Sequence, residues 1–254
     1  MKKSIYVAFS NQKGGVGKSA FTTLAASYLH YEGKHNVVVI DCDYPQHSIH
    51  AMRERDKGLV STNDAYKEMM VNQYNTIQKK AYPILSAKPE DAVELANQVV
   101  KGSETFIDVV FFDLPGTVFS PGILNSMLNM DYLFCPIITD RLVMQSSLTF
   151  VSTMQEYLKK VQQSPLKSIH LFWNQLVKTG NMELYDMYCA VIKKMNLNLL
   201  QTEIPFTIKY RKELSPALSN RQVFRSTLFP PHKALIKGSN IDLLVSEICQ
   251  TINI

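Results

Sequence analysis

Short apolar runs, many of them rich in β-branched residues, recur along the chain and alternate with longer amphipathic stretches. Such runs are typical of buried strands, and we predict strands at residues 5–9, 37–40, 107–112, 132–138, 169–173 and 199–204, with a further candidate at 82–85. The amphipathic stretches predict helices at residues 18–31, 61–80, 89–100, 142–162, 182–195 and 241–252. We therefore expect an α/β fold with a mostly parallel, twisted sheet and helices on both faces.

The composition is that of an ordinary folded protein. Of 254 residues, 46% are hydrophobic and 19% are charged, which excludes a largely disordered chain. We see no linker rich in Gly or Ser and no repeat of fixed period. The simplest expectation is therefore a single domain over residues 1–254.

The net charge and the cysteines indicate which ligands and which cellular compartment suit the protein. The net charge of +5 permits binding to nucleic acid or to an anionic surface without requiring either. The four cysteines are scattered and form no C-x-x-C pair, so we expect free thiols in a reducing compartment. The first apolar run ends at residues 10–13, too soon for a signal-peptide core, and no stretch of about 18 uncharged residues offers a membrane span. We expect a cytoplasmic protein without membrane contact.

The segment N-Q-K-G-G-V-G-K-S at residues 11–19 lies between the first predicted strand and the first predicted helix, where a phosphate-binding loop belongs. Its glycines allow a tight turn that aims backbone N–H groups at phosphate oxygens, and the helix N-terminus adds positive charge. We expect Lys18 to contact the β- and γ-phosphates and Ser19 to coordinate Mg²⁺. The nucleotide-binding residues predicted here are Lys13, Gly14, Gly15, Val16, Gly17, Lys18, Ser19 and Ala20.

This loop departs from the ordinary pattern G-x-x-x-x-G-K-[ST], because Gln12 stands where the first glycine belongs and Lys13 precedes two glycines. It resembles the deviant Walker A box of the ParA/MinD family of P-loop ATPases. The resemblance implies a three-layer P-loop NTPase fold, ATP and Mg²⁺ as ligands, and a homodimer that forms on ATP binding. It also implies that Lys13 reaches the partner's phosphates and, with Lys18, is catalytic. A second cation there would neutralise charge on the transferring phosphoryl group.

Two carboxylates, Asp41 and Asp43, follow the second strand, at the edge where a parallel sheet binds ligands. The segment resembles the family's switch I motif D-x-D-P-Q, with Tyr44 inserted before Pro45 and Gln46. The resemblance makes Asp43 the catalytic residue that positions water, and it makes Asp41 a support of the Mg²⁺ shell. Asp and Pro are also common in ordinary turns after strands, which is the alternative interpretation.

The third strand ends in Asp113, as in a Walker B motif, where the carboxylate would bind Mg²⁺ through water. Pro115 and Gly116 then resemble switch II, where the glycine backbone senses the γ-phosphate. A turn is again the alternative. In the family, an Asn at the place of Asn174 bonds the adenine, and the loop that starts at Pro205 lines the base.

Basic residues concentrate near the C-terminus. Residues 209–237 contain seven basic residues and one acid, a net charge of +6. Such a patch would bind a phosphate backbone without sequence preference, as ATP-bound ParA-type dimers bind DNA, or it is a solvated surface. The candidate DNA-binding residues are Arg211, Lys212, Arg221 and Arg225. We assign the aromatic residues of this region to the core: Phe206, Tyr210, Phe224 and Phe229.

The function predicted from the resemblance is an ATPase for DNA partition or positioning, stimulated by an unidentified partner protein. The segment 41–46 and the short C-terminal end also resemble ParA-like TraA proteins of conjugative transposons, which implies a role in transfer of such an element. One alternative is a MinD-like ATPase without DNA binding, although residues 241–254 contain no Lys or Arg for a membrane anchor. Another is an ATP-dependent metabolic ligase on the same fold. An iron–sulfur reductase is disfavoured by the scattered cysteines.

Overall fold

The computed structural model describes residues 3–116, 120–161, 163–178, 182–216 and 222–254. The strands are β1 Ile5–Phe9, β2 Val37–Asp41, β3 Ile84–Ser86, β4 Val109–Asp113, β5 Tyr132–Ile137, β6 Ser168–Trp173 and β7 Asn198–Leu199. The helices are α1 Lys18–Tyr31, α2 Ser48–Thr62, α3 Asp64–Ile77, α4 Ala92–Gly102, α5 Pro121–Leu128, α6 Arg141–Lys160, α7 Glu183–Lys194, α8 Lys233–Ile236 and α9 Ile241–Ile252, with a 3₁₀ turn at Ile208–Arg211.

The described strands form one seven-stranded sheet in the order β3-β2-β4-β1-β5-β6-β7, and every pair in it is parallel. Strands β2 and β4 are buried along their whole length, which explains why their sequences are continuously apolar before the terminal Asp. The predicted α/β fold with a parallel sheet is confirmed. The carboxyl ends of β1, β2 and β4 meet at one edge, because these three strands are neighbours.

Successive residues of β1 point to opposite faces of the sheet and enter two separate cores. Tyr6 and Ala8 pack with the helices α4, α5, α6 and α7, whereas Val7 and Phe9 pack with α1 and α9. Helices therefore cover both faces, as predicted. The buried stripe of α9 belongs to the second core, so its apolar face is already covered by protein. Within the described residues, no helix is both long enough and apolar enough to cross a membrane.

The helix predicted at residues 61–80 is wrong in its bounds. The chain there forms two helices, and the break falls at Asn63, whose side chain accepts from the N–H groups of Ala65 and Tyr66 at 3.0 and 3.3 Å and caps α3. The prediction missed α2 because the buried face of that helix contains Arg53 and Asp56 besides Ile49, so it lacks an apolar stripe. It also missed α5, which is signalled by a Ser cap followed by Pro.

The strand predicted at residues 199–204 is shorter than expected. Only Asn198 and Leu199 pair with β6, and the chain then leaves the sheet. The N–H groups of Gln201 and Thr202 donate instead to the Glu247 carboxylate of α9, at 2.7 and 2.8 Å. A side-chain acceptor has thus replaced the neighbouring strand. The sheet resumes contact only at Ile204, whose N–H donates to the Trp173 carbonyl.

Two buried charged residues attach α2 to the segment 222–232. The Asp56 carboxylate accepts from the Ser226 hydroxyl, the Thr227 N–H and the Thr227 hydroxyl at 2.9, 3.0 and 3.1 Å. The Arg53 guanidinium donates to the Thr227 hydroxyl, the Thr227 carbonyl and the Tyr82 carbonyl at 2.9–3.0 Å. Buried charges are stable only when they are satisfied in this way. These contacts fix α2, which directly follows the predicted switch I.

We expect Asp56→Ala to lower the free energy of unfolding by about 3 kcal/mol, because three buried donors lose their acceptor. Urea unfolding followed by circular dichroism measures the change. Glu54→Ala is the matched control, since Glu54 lies on the same helix with an exposed side chain. Equal unfolding midpoints for the two variants would contradict the structural role of Asp56.

Candidate nucleotide-binding site

The loop between β1 and α1 has a backbone that requires glycine. Gly15 and Gly17 adopt φ angles of 76° and 94°, in the left-handed region that other residues rarely enter. A Cβ atom at Gly17 would lie 3.0 Å from the Phe21 ring and 3.3 Å from the Asn174 amide nitrogen. The start of α1 has no side-chain cap and no acidic residue in its first turn. Its N–H groups are therefore available to an anion.

Two buried amides hold this loop in place. The Asn11 amide nitrogen donates to the Pro136 carbonyl and to the Ser147 hydroxyl, both at 2.8 Å, while its oxygen accepts from the Lys13 N–H at 3.0 Å. The Asn174 amide nitrogen donates to the Val16 carbonyl at 2.9 Å. The loop is thus tied to β5, α6 and the end of β6 before any ligand arrives.

The two lysines of the loop lie in opposite environments. Lys18 is half-buried, and its ammonium donates to the Lys13 carbonyl at 3.0 Å. Burial lowers the pKa of Lys18, while Asp113 and Asp43 oppose the shift. A Cβ atom at Gly116 would meet the end of the Lys18 side chain, so the predicted switch II glycine lies directly against this lysine. Lys13 is exposed, and its ammonium bonds to none of the described residues.

Asp113 is the least satisfied polar group of the site. It is fully buried at the end of β4, and neither carboxylate oxygen has a partner in hydrogen-bond geometry among the described residues, although the Ser19 hydroxyl is close enough to stabilise the charged form. Burial raises the pKa of Asp113 to about 7; Asp41 and Asp43 add to the shift, and the Ser19 hydroxyl and Lys18 oppose it. A buried carboxylate without partners is unfavourable unless a cation or its water shell occupies the place beside it. Asp113 and Ser19 therefore fit a Mg²⁺ ion.

Asp41 has a structural task that the sequence did not reveal. Its carboxylate is fully buried and accepts from the N–H groups of Ile49 and His50, both at 2.9 Å, and from the Asp43 N–H at 3.3 Å. Asp41 thus caps the start of α2 from the end of β2. Its support of the Mg²⁺ shell stays a prediction, and the contacts in the structure are those of a helix cap. No local spacing signals such a cap, because residues 42–48 intervene.

The phosphate-loop end of the site is a cavity of about 690 Å³. It is lined by three predicted segments, namely residues 14–20 except Val16, residues 43–46, and residues 115–116, and by Arg225. Asp43 is half-buried there; burial and Asp41 raise its pKa, while Lys18 and His47 oppose the shift. The inserted Tyr44 is exposed and lines the same cavity. The structure thus brings the loop and both switch segments together.

A second cavity, of about 300 Å³, adjoins the first at Gly15, Gly17, Ala20 and Arg225. Its remaining lining consists of Phe21, Asn174, Gln175, Pro205, Phe206, Thr207, Tyr210 and Arg211. Asn174 and Pro205 therefore lie together, although the Asn174 amide nitrogen is engaged by the loop. The core assignment of Phe206 is wrong, since its side chain is 56% exposed at this cavity, whereas Phe224 and Phe229 are buried.

The basic residues predicted to bind DNA differ in exposure and in what they contact. Arg221 lies outside the described residues. Arg211 is exposed at the second cavity, Lys212 is half-buried, and Arg225 lines both cavities while it bonds to Glu213. Sequence reasoning assigned these residues to DNA and missed the position of Arg225 beside the phosphate loop. No spacing pattern connects residue 225 with residues 14–20.

Comparison with solved structures supports the fold. The cell division ATPase MinD of Pyrococcus furiosus aligns over 98% of this chain and 100% of its own, with 14% identity and a TM-score of 0.60. A plasmid partition protein of Borrelia burgdorferi aligns over 81% and 91%, with 18% identity and a TM-score of 0.54. Cobyrinic acid a,c-diamide synthase of Mycobacterium smegmatis, with bound ADP and magnesium, aligns over 81% and 88%, with 18% identity and a TM-score of 0.56.

At these identities the structural likeness shows the fold alone. No curated protein sequence matches the chain. The sequence profile of the CbiA family, described as the CobQ/CobB/MinD/ParA nucleotide binding domain, matches residues 7–219, which include the phosphate loop, both switch segments, Asn174 and Pro205. The chain therefore belongs to the CobQ/CobB/MinD/ParA nucleotide-binding domain family.

Proposed function

We propose that the chain is a single ParA-type ATPase domain, residues 1–254, that binds ATP with Mg²⁺ and hydrolyses it as a homodimer in DNA partition or positioning. The observation that carries the proposal is the buried carboxylate of Asp113 beside Lys18 and Ser19, for which the described part of the chain supplies no hydrogen bond. The glycine loop and the uncapped start of α1 supply the matching phosphate donors.

The residues divide the chemistry among them. Lys18 and the loop N–H groups bind the β- and γ-phosphates, and Ser19 and Asp113 hold Mg²⁺, directly or through water. When bound, Mg²⁺ neutralises charge that develops on the phosphates. Asp41 fixes the start of α2 and thereby the backbone of Asp43. Asp43 orients the attacking water, and its raised pKa makes it a better proton acceptor than a solvated carboxylate.

Lys13 contributes in trans. Its exposed ammonium has no acceptor among the described residues, which suits a residue that is completed by a second copy of the chain. The charge of Lys13 then reaches the partner's phosphates only in the ATP-bound dimer. Hydrolysis is therefore slow in the monomer and depends on assembly, and a partner protein stimulates it.

A DNA contact of the dimer through Arg211 and Lys212 completes the proposal. It supports partition of a chromosome, a plasmid or a conjugative element. A diamide synthase has the same fold, so we take an ATP-dependent amide-forming ligase as the second candidate. Fluorescence anisotropy with duplex DNA at low salt separates the two. The partition ATPase binds DNA only with ATP, and its affinity falls steeply with salt, whereas a ligase binds none.

We expect substitutions of the two lysines to affect different steps, namely ATP binding and hydrolysis in the dimer. Lys18→Ala removes the phosphate contact and abolishes ATP binding by the monomer. Lys13→Ala retains that binding but lowers the hydrolysis rate about a hundredfold or more and abolishes the ATP-dependent dimer. Titration calorimetry, phosphate release and light scattering measure the three quantities. Wild-type dimerisation by Lys13→Ala would remove Lys13 from its role in trans.

Asp43→Ala is expected to bind ATP and dimerise but to hydrolyse about a hundredfold more slowly, because the attacking water loses its orienting group. Size-exclusion chromatography with ATP shows a lasting dimer in this variant and a transient one in the wild type. Tyr44→Ala is the neighbouring control, which leaves the carboxylate in place. An unchanged hydrolysis rate in Asp43→Ala would exclude the assigned role.

The pKa of Asp113 predicts how pH affects the nucleotide-free protein. The unfolded chain releases this proton near pH 4, whereas the folded protein retains it up to about pH 7. The folded state binds more protons in that window, so its free energy of unfolding falls as pH rises from about 4 to 7. Asp113→Asn has no carboxyl proton to release, so its free energy of unfolding does not fall in this way. At pH 8 its melting temperature should exceed that of the wild type by about 2 °C or more.

Differential scanning calorimetry at pH 5 and pH 8, without nucleotide, measures the effect. Asp64→Asn is the control, because the Asp64 side chain is 96% exposed. Equal pH dependence in the wild type and Asp113→Asn would show that the Asp113 carboxylate is not uncompensated in solution.

A further inference from the structure

Arg225 is the one residue of segment 222–232 that lines both cavities of the nucleotide site among the described residues. It belongs to neither the phosphate loop nor the switch segments. Its side chain is 25% exposed, so it is too enclosed to lie across a DNA backbone while Glu213 holds it. In the proposed complex the phosphates of ATP lie in the first cavity and the base lies in the second, and Arg225 lies where the two cavities meet. We therefore expect Arg225 to bind a ligand that is small enough to enter the cavities.

The geometry around Arg225 is fixed by backbone and side chain together. The N–H groups of Phe224 and Arg225 both donate to the Lys212 carbonyl, at 3.0 and 2.9 Å, and Glu213 and Arg225 form an isolated parallel bridge. The Arg225 Nε and Nη2 both donate to one oxygen of Glu213, the former at 2.9 Å. The Arg225 side chain is thus oriented before any ligand binds.

Glu213 neutralises Arg225 only in part, because it serves two cations. Its second oxygen accepts from the Arg55 Nη1 at 2.6 Å. Arg55 also contacts the Asp56 carboxylate at 3.4 Å, so Glu213 is shared by two guanidinium groups and does not serve Arg225 alone. Among the described residues, Glu213 is also the only acceptor of the Arg225 side chain, and the Nη1 donors remain unused. An arginine that is held in place, short of acceptors and adjacent to the phosphate loop is suited to bind a phosphate oxygen.

We propose that Arg225 is a phosphate ligand of the bound nucleotide, supplied in cis from outside the phosphate loop, and that Glu213 is its positioning residue. The proposal rests on the proposed ATP site. Arg55 lies on α2, whose start is capped by Asp41 beside Asp43, so the Glu213 carboxylate also joins the nucleotide ligand to the helix that follows switch I. Arg225 is accordingly reassigned from the DNA-binding set to the nucleotide site.

The test measures the Kd of Mg²⁺-ATP by titration calorimetry for Arg225→Ala, Arg225→Lys, Glu213→Gln and Lys233→Ala. Arg225→Ala is expected to raise the Kd about tenfold or more, since a charge-assisted hydrogen bond is lost, and Arg225→Lys to recover part of it. Lys233→Ala is the matched control, because it removes a positive charge of the same C-terminal region from an exposed side chain that lines neither cavity. It should leave the Kd within about twofold of the wild type.

A double-variant cycle tests Glu213 separately from any general structural role. Glu213→Gln alone is expected to raise the Kd of ATP, because Arg225 is no longer held. In the Arg225→Ala background the same change should have no further effect, since nothing remains to be positioned. An additional loss of affinity in the double variant would overturn the positioning role. Thermal melting of each variant verifies that it is folded.

The outcomes distinguish this inference from the proposed function. If the wild type binds no ATP, the proposed function itself fails. If the wild type binds ATP and a folded Arg225→Ala binds it with the same Kd, only the role of Arg225 is overturned. If that variant keeps its affinity for ATP and loses affinity for duplex DNA in the anisotropy assay, Arg225 belongs to a DNA surface instead. Should Arg225→Ala fail to fold, Arg225→Lys and Glu213→Gln decide by the same criteria.

Discussion

Three carboxylates and one ammonium group meet at the carboxyl edge of the sheet, and the structure resolves their repulsion in three ways. Asp41 is buried but satisfied by the N–H groups at the start of α2. Asp43 keeps part of its surface in solvent. Asp113 is buried, finds no hydrogen-bond partner within the described ranges, and retains its proton to about pH 7. Burial of an unpaired carboxylate is unfavourable, so a cation bound at Asp113, beside the phosphate loop, stabilises the folded chain.

The apolar core keeps these carboxylates at the edge of the sheet. Strands β2 and β4 run buried from end to end, so the Asp at the end of each cannot move into solvent without disturbing the sheet. The amides of Asn11 and Asn174 hold the phosphate loop in position, because their hydrogen bonds connect it to β5, α6 and the end of β6. Such preorganisation reduces the cost of ordering the site when a ligand binds.

The features predictable from the sequence are those encoded by short-range patterns. The parallel strands were visible as apolar runs, and the loop glycines as a motif whose backbone angles only glycine adopts readily. What was missed depends on contacts between distant residues. Helix α2 escaped prediction because its buried face holds Arg53 and Asp56, whose partners lie at residues 226 and 227. The helix cap by Asp41 and the place of Arg225 at the cavity likewise follow from packing and leave no local trace.

Helix α2 connects these observations. Its start is capped by Asp41, its buried face is bound to segment 222–232 through Arg53 and Asp56, and its Arg55 shares Glu213 with Arg225. Two parts of the cavity lining, residues 43–46 and Arg225, are thus attached to this one helix or to its partners. Asp41 and Asp43 therefore meet α2 at its start, and Glu213 and Arg225 meet it at its side through Arg55. The buried charged residues of a helix without an apolar stripe thus have a structural task, since Arg53 and Asp56 fix α2 to the segment that contains Arg225.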